Sequence, residues 1–185
     1  MTLDPRGADP RPTDGKPGSP RDLTPLMRPR SIAIVGASQR EVRANRVIRN
    51  LQRLGFSGDI YPINPRYDEV LGLRCYPDVA STPVPADCAV VSIPARAVPD
   101  LVTAVADAGV RSAVILASGF GESGEQGERM QARLEEVSRD RGLLICGPNC
   151  FGIFNVSENI PAFIGAIATP LVAGNVGLVS QSGGV

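Results

Sequence analysis

Histidine and tryptophan are both absent from the 185-residue sequence, and its aromatic residues are five phenylalanines and three tyrosines. Without histidine, these residues offer no imidazole as a general base, metal ligand or phosphoryl carrier. No stretch reaches 18 consecutive apolar residues and the N-terminus has no apolar signal core, so neither a transmembrane helix nor a signal peptide is predicted.

Net charge is lacking as well, because 19 basic and 19 acidic residues cancel. The positive electrostatic field typical of proteins that bind nucleic acid or an anionic membrane is therefore missing. We expect a small-molecule partner rather than nucleic acid or membrane, and a cytoplasmic location.

The four cysteines are too few and too scattered for a disulfide framework in a chain without a secretion signal. Cys146 and Cys150 form a C-x3-C pair, but the chain has no histidine and no second cysteine pair to complete a metal site. Reduced, structural thiols are predicted, no metal ligand is assigned, and nothing in the sequence supports a reactive thiol at Cys150.

Short apolar runs alternate with amphipathic stretches once the chain leaves a tail, residues 1–23, whose Pro, Gly, Asp and Arg content predicts disorder. This alternation is typical of βαβ units. It predicts an α/β fold of the doubly wound, Rossmann-like kind, with a mainly parallel sheet and helices on both faces. Strands are predicted at residues 31–37, 59–64, 88–94, 112–118, 143–148 and 176–180.

Three helices are predicted between these strands. The first covers residues 42–54, the second begins near Val98, and the third covers residues 125–141; each has apolar residues at helical spacing. The first helix also carries four arginines on its other side, which predict a solvated face. Only Arg40 and Arg43, near the start of that helix, are placed to meet a ligand.

The loop after the first strand, GASQRE, is the strongest candidate for a ligand site, because ligands of open parallel sheets lie beyond the carboxyl ends of the strands. Gly36 permits a tight turn, and Ser38 with the following N–H groups could cradle a phosphate at a helix start. The glycines and the acidic residue of an NAD fingerprint are missing. Arg66 could meet a ribose 3′-phosphate or be an ordinary surface arginine.

The remaining strand ends carry small and turn-forming residues. Pro94 fixes the exit of the third strand, and Ser118 begins a glycine-rich segment that is either a close-approach site for a ligand or a loose connection. The dense CGPNCFG segment predicts a specific turn, in which Asn149 either orients a ligand or caps its own loop.

Six segments occur in series: RPRSIAIVGASQRE, NLQRLGFSGDIYPINPRYDEVLGLRCYPDV, ADCAVVSIPA, GVRSAVILASGFGESGEQG, CGPNCFGIFN and GNVGLVSQSGGV. In order and spacing they resemble the N-terminal part of the nucleoside-diphosphate-forming acyl-CoA synthetases, the superfamily of succinyl-CoA synthetase alpha subunits. The resemblance implies a CoA-binding domain over residues 24–173 and the truncated start of a second, flavodoxin-like domain over residues 174–185. It also implies an ATP-grasp domain or subunit as partner, with ATP and Mg²⁺ bound only there.

The resemblance assigns residues as well. The loop that holds the CoA phosphates is matched by Gly36, Ala37, Ser38, Gln39, Arg40 and Glu41. The other CoA positions are Arg66 at the nucleotide end, Ile93 and Pro94 in the groove wall, Leu116, Ala117 and Ser118 along the pantetheine, and Asn149 and Cys150 near the thiol. One departure is Ala44, where many relatives have glycine. In the second domain, Ser180, Gln181, Ser182 and Gly183 would contact phosphate.

In this family a histidine of the next domain accepts phosphate from ATP and passes it to the acid, after which CoA attacks the activated carbonyl. No residue here can do this, so no catalytic residue is assigned. We expect a domain that binds CoA or acyl-CoA but is not a complete ADP-forming ligase. Two alternatives stay open: a stand-alone CoA-responsive binding or regulatory module, and the N-terminal part of a synthetase-like protein acetyltransferase. A nicotinamide oxidoreductase is the least favoured.

Overall fold

The computed structural model describes residues 21–169 and 171–177. Its α-helices are α1 (Thr24–Met27), α2 (Arg43–Arg53), α3 (Val98–Asp107) and α4 (Glu125–Arg141). Its strands are β1 (Ser31–Val35), β2 (Asp59–Ile63), β3 (Glu69–Val70), β4 (Leu73–Arg74), β5 (Cys88–Val91), β6 (Ser112–Ile115) and β7 (Leu144–Cys146). Of the predicted tail, only residues 21–23 fall within the described part.

Five strands form one parallel sheet in the order β2-β1-β5-β6-β7. The chain moves from β1 to the edge strand β2, then crosses back to β5 and continues in the opposite direction. Such a reversal creates a crevice beyond the carboxyl ends of the two central strands, here β1 and β5, where ligands of open α/β sheets bind. The doubly wound, Rossmann-like prediction is confirmed.

One face of the sheet is covered by α3 and α4. Side chains alternate in direction along a strand, so Ala33 and Val35 of β1 point to this face. They join Val102 of α3 and Leu134 of α4 in a core whose members are nearly all inaccessible to solvent. Arg133 and Arg141 of α4 pair with acidic residues of α3 on the outside, at 2.8 Å each, and exposed pairs of this kind add little stability.

The other face is covered by α2 and by irregular backbone. Ile32 and Ile34 of β1 pack against Val47, Ile48 and Leu51 of α2, all of them completely buried. The four arginines on the outer side of α2 are exposed, as the helical spacing predicts: Arg43, Arg46, Arg49 and Arg53. Beside α2 lie the small β3–β4 hairpin and the segment at residues 153–165.

The segment at residues 153–165 packs on the core of the domain itself. Ile160 and Ala162 are 3% and 0% exposed, within the core beneath α2. Asn50 of α2 donates its side-chain amide to the carbonyls of Phe163 (2.7 Å) and Gly165 (3.1 Å). The apolar character of this segment therefore serves the domain's own core, because it closes the part of the sheet that α2 alone leaves open.

The predicted strands are one to three residues longer than the observed ones at their carboxyl ends, because residues such as Gly36 and Pro94 turn the chain out of the sheet. Residues 176–177 belong to no strand, and the rest of the strand predicted at 176–180 lies outside the described residues. No helix in the described part of the chain combines the length and apolarity that crossing a bilayer would require.

Candidate functional site

The loops after β2, β1 and β5 touch one another at the carboxyl edge of the sheet. Asn64, which follows β2, donates its side-chain amide to the carbonyl of Ala37 in the β1–α2 loop (2.7 Å). Gly36 has φ of +91° and lies against the β5 loop, where an added Cβ would sit 2.3 Å from the carbonyl oxygen of Ser92. Glycine is needed here for both reasons, and it lets the two central loops meet at the switch point.

The row of loops continues to the far side of the sheet. A Cβ at Gly119, after β6, would lie 3.3 Å from the Cβ of Ala95, after β5. The N–H of Asn149, after β7, donates to the carbonyl of Ala117, after β6 (2.8 Å). Five loops therefore form one continuous edge, and nearly all of the described positions that the sequence predicted as ligand contacts lie on it.

Asn45, on the first turn of α2, holds the β1–α2 loop in place. Its side chain is 2% exposed, accepts from the N–H of Ser38 (3.2 Å) and donates to the carbonyls of Ser38 and Arg40 (2.8 Å each). The N–H of Arg40 in turn donates to the Ser38 hydroxyl (3.0 Å). Of the N–H groups that follow Ser38 and were predicted to cradle a phosphate, that of Arg40 is therefore already used inside the loop, and so is the N–H of Ser38 itself.

Other donors of this loop remain available. Among the described residues, the N–H groups of Gln39 and Glu41 have no hydrogen-bond partner, and neither do the exposed guanidinium groups of Arg40 and Arg43. The carboxylate of Glu41 is paired with Arg49 at 2.7 Å, which offsets its negative charge. The loop thus presents unpaired donors and cations and little uncompensated negative charge.

Arg66 lies on the exposed side of the turn after β2. Its backbone N–H donates to the side-chain oxygen of Asn64 (3.0 Å), and its guanidinium has no partner among the described residues. Tyr67, the residue after Arg66, is half-buried, and its hydroxyl lies 3.4 Å from the Ser38 hydroxyl. The β2 turn is therefore fixed against the β1–α2 loop, and Arg66 projects from a supported position.

The strand ends on the other side provide an apolar wall. Ile93 is half-buried against the core and Pro94 is exposed. Ala117 is half-buried and Ser118 exposed, whereas the side chain of Leu116 is 2% exposed and packs in the core beneath α2. Leu116 can therefore present only backbone atoms to a ligand.

The β6–α4 loop is closed by Glu122. Its carboxylate accepts from the N–H groups of Gly119 (2.7 Å) and Phe120 (3.2 Å), and the bond from Gly119 is the largest cause that lowers the pKa of Glu122. This segment is therefore a turn fixed by hydrogen bonds, and not the loose connection that its glycines also allow.

The turn after β7 contains a cis Gly147–Pro148 peptide and Asn149 at φ +55°. Asn149 is exposed, and Cys150 is half-buried with its thiol 3.3 Å from the carbonyl of Ile115. The specific turn predicted from the density of Gly, Pro and Asn is present. Within the described residues no three His, Cys, Asp or Glu side chains gather as a metal site would require.

Sequence reasoning missed Asn45, Asn64 and Glu122, which position the loops. The available signal for Asn45 was a polar residue three positions before Ile48, inside the apolar arc of the helix. Four predicted positions lie outside the described residues: Ser180, Gln181, Ser182 and Gly183.

The family model of a CoA binding domain matches residues 30–155. Among curated proteins, the chain is 38% identical over 164 residues to an acetate–CoA ligase (ADP-forming) II of Archaeoglobus fulgidus, covering 88% of this chain and 24% of that protein. It is 41% identical over 169 residues to a trans-feruloyl-CoA synthase of an unknown prokaryotic organism, covering 89% and 24%. The chain thus spans about a quarter of the length of these relatives.

A solved structure gives the same result. The acetyl-coenzyme A synthetase 1 of Ca. Korarchaeum cryptofilum, described as dinucleotide forming and solved in complex with phosphate and ADP, superposes with a TM-score of 0.75 at 38% identity. The match covers 78% of this chain and 31% of that one. Since the family model spans the whole sheet and every loop of the carboxyl edge, this chain belongs to the CoA-binding domain family and is homologous to the CoA-binding part of ADP-forming acyl-CoA synthetases.

Proposed function

We propose that the chain binds CoA or acyl-CoA at the carboxyl edge of the sheet, as the CoA-binding domain of an ADP-forming acyl-CoA synthetase. The observation that carries this proposal is the coincidence of the family match with an edge of five touching loops at the β1–β5 switch point. The proposal covers residues 24–173 as the binding domain and residues 174–185 as the start of a second domain.

The donors of the β1–α2 loop support the diphosphate end of this proposal. The free N–H groups of Gln39 and Glu41 and the unpaired guanidinium groups of Arg40 and Arg43 suit a ligand with several negative charges. Because Asn45 fixes the loop without a ligand, little conformational entropy is left to lose on binding. Gly36, Ala37 and Ser38 would shape the loop.

The rest of the edge suits the rest of the CoA molecule. We assign Arg66 to the 3′-phosphate, because its guanidinium is exposed and unpaired among the described residues. Ile93, Pro94, Ala117, Ser118 and the backbone of Leu116 would line the pantetheine. Asn149 and Cys150 would lie near the thiol.

For the whole protein we propose the ADP-forming acyl-CoA synthetase activity of the relatives. An acyl-CoA synthetase would form acyl-CoA, ADP and phosphate from an acid, CoA and ATP, and its ATP and Mg²⁺ would bind an ATP-grasp domain or subunit outside this chain. The two relatives named above differ in their acids, acetate and trans-ferulate, so we propose no acid for this protein. A cytoplasmic location accords with its four free cysteines.

Titration calorimetry on the full chain tests the proposal. We expect heat with CoA, no heat with NADH, and no acid-dependent ATP hydrolysis. Arg66→Ala should weaken CoA binding about tenfold, the usual scale of a charge-assisted phosphate contact, and leave dephospho-CoA binding unchanged because that ligand lacks the 3′-phosphate. Arg46→Ala is the matched control: Arg46 is also an exposed arginine but lies on the outer side of α2, and the variant should bind both ligands like the unmodified chain. Heat with NADH and none with CoA would refute the proposal.

A further inference from the structure

Phe151 exposes an aromatic ring directly after the turn that follows β7. Its side chain is 45% exposed, and it is the one aromatic residue among the large exposed apolar residues of the described chain. Single exposed apolar side chains are common in proteins, so exposure by itself indicates no function. The support of this ring and its position beside the proposed CoA site distinguish it from the others.

The backbone around Phe151 is fixed to the segment that returns along the core. The carbonyl of Phe151 accepts the N–H of Ile164 (2.9 Å), and Gly152 forms an antiparallel bridge with Phe163. Gly152 has φ of +113°, and a Cβ there would lie 2.2 Å from the carbonyl oxygen of Ala162. Only glycine therefore allows the two segments to approach this closely, directly beside Phe151.

A second aromatic ring supports that of Phe151. The ring centroids of Phe151 and Phe163 are 6.1 Å apart, and the ring planes are tilted by 34°. Phe163 is half-buried, and a Cβ at Gly165 would lie 2.3 Å from its Cε1 atom, so the backbone of Gly165 lies against this ring. Because the two rings are already in contact and supported, a ligand that covers them removes little side-chain freedom.

The position of the pair relates it to the proposed CoA site. That site has the CoA thiol near Asn149 and Cys150, and Phe151 is the next residue, with its Cα about 4 Å from that of Cys150. The Cys150 sulfur lies 3.3 Å from the carbonyl oxygen of Ile115, so this side chain is directed at the sheet. An acyl group extends beyond the CoA sulfur, and Phe151 supplies a large exposed apolar surface one residue from the place proposed for that sulfur.

We infer that the Phe151–Phe163 pair contacts the acyl group of acyl-CoA and favours acyl groups that contain an aromatic ring. The inference rests on the proposed CoA site and adds a class of acyl group to it, without a particular acid. An aromatic acyl group can stack on the exposed ring, and such a contact is worth more than the buried area alone. An acetyl group has one methyl and no ring, so it gains little from the same surface.

Titration calorimetry of the full chain with CoA, acetyl-CoA and benzoyl-CoA tests the inference. We expect benzoyl-CoA to bind about fivefold more tightly than acetyl-CoA, which is the scale of one aromatic contact. Phe151→Ala should remove this preference and leave the affinity for CoA unchanged. Equal affinities of the unmodified chain for benzoyl-CoA and acetyl-CoA would overturn the inference and leave the CoA site standing. No heat with CoA itself would refute the proposed function, and the inference with it.

Further variants separate an acyl contact from a structural role. Phe151→Tyr keeps the ring and should keep the preference for benzoyl-CoA, whereas Phe151→Leu should bind benzoyl-CoA more weakly than Phe151→Tyr does. Met27→Ala is the matched control: Met27 is also a large exposed apolar residue, but it lies in α1, before β1 and at the opposite edge of the sheet. This variant should bind all three ligands like the unmodified chain. Equal losses of affinity for all three ligands in Phe151→Ala would mean that the ring only supports the turn, and would overturn the inference.

Discussion

The two faces of the sheet are covered in different ways. On one face, α3 and α4 bury apolar residues that recur at helical spacing. On the other, α2 shares the cover with irregular backbone that side-chain amides hold from far along the chain: Asn50 reaches Phe163 and Gly165, and Asn159 reaches Leu54 and Gly55. The first face depends on local periodicity and close packing, whereas the second depends on long-range hydrogen bonds.

The face covered by α3 and α4, the regular face, should be most sensitive to a change in packing. Gly127 of α4 is buried, and a Cβ there would lie 1.8 Å from the carbonyl oxygen of Phe120, so Gly127→Ala must displace the helix or the turn before it. We expect a loss of about 3 kcal/mol in the free energy of unfolding, despite a gain in helix propensity of about 1 kcal/mol. Urea unfolding measures this loss. The exposed neighbour change Gln126→Ala should stay within about 0.5 kcal/mol, and a Gly127→Ala protein of unchanged stability would contradict the close contact.

The face covered by α2 and irregular backbone, the irregular face, should be most sensitive to the loss of a side-chain amide. Asn50→Ala removes two hydrogen bonds and leaves the carbonyls of Phe163 and Gly165 partly buried without these donors. We expect a loss of about 2 kcal/mol, together with faster amide hydrogen exchange at residues 153–165 and unchanged exchange in α3 and α4.

Gln52→Ala is the matched control for this change. Gln52 is an exposed amide on the same helix with one hydrogen bond, to the carbonyl of Leu71 (3.1 Å). Its removal should alter stability by less than about 0.5 kcal/mol. Faster exchange spread evenly over both faces in the Asn50→Ala protein would show that the segment is not held separately by this side chain.

Asn45 and Asn50 are buried amides on one helix, and they differ in what they hold. Asn45→Ala should cost a similar amount of stability, because it also removes hydrogen bonds to buried backbone. If the proposed function holds, only Asn45→Ala should also weaken CoA binding, by about tenfold, because only Asn45 fixes the loop proposed to hold the phosphates. Calorimetry on both variants measures this difference. Equal losses of affinity would assign the effect to general destabilisation.

The same contrast explains what could be predicted from the sequence. The sheet, α2, α3 and α4 followed from hydrophobic periodicity, because such patterns are local. Val47, Ile48 and Val102 are apolar residues at helical spacing, and all three are fully buried. The row of loops at the carboxyl edge also followed, since parallel strands end at the same side of the sheet.

Hydrophobic periodicity could not predict the burial or the role of residues whose partners lie outside their own helix or strand. Nothing near Ile160 or Ala162 in the chain indicates that they pack beneath α2, because their partners lie more than 100 residues earlier. Asn45 was missed for a related reason: its three bonds go to a loop whose backbone path is fixed only after folding. Leu116 was assigned to the pantetheine by the resemblance alone, and its place at a strand end does not reveal that its side chain packs in the core beneath α2.

Glu122 gives the smallest expected effect and the closest comparison with Asn50. It too holds backbone by side-chain hydrogen bonds, but its partners Gly119 and Phe120 are only two or three residues away, and the carboxylate is exposed. Since folding lowers the pKa of Glu122, its contribution is present above the ordinary glutamate pKa and is lost as the pH falls through the lower folded value. We expect Glu122→Gln to lower the free energy of unfolding by less than about 0.5 kcal/mol at pH 7. Urea unfolding at pH 4 should show a smaller gap between the unfolding free energies of the unmodified protein and the variant. A gap as large as that of Asn50→Ala, or one independent of pH, would mean that the regular face also depends on a side-chain clamp, and the contrast between the two faces would be lost.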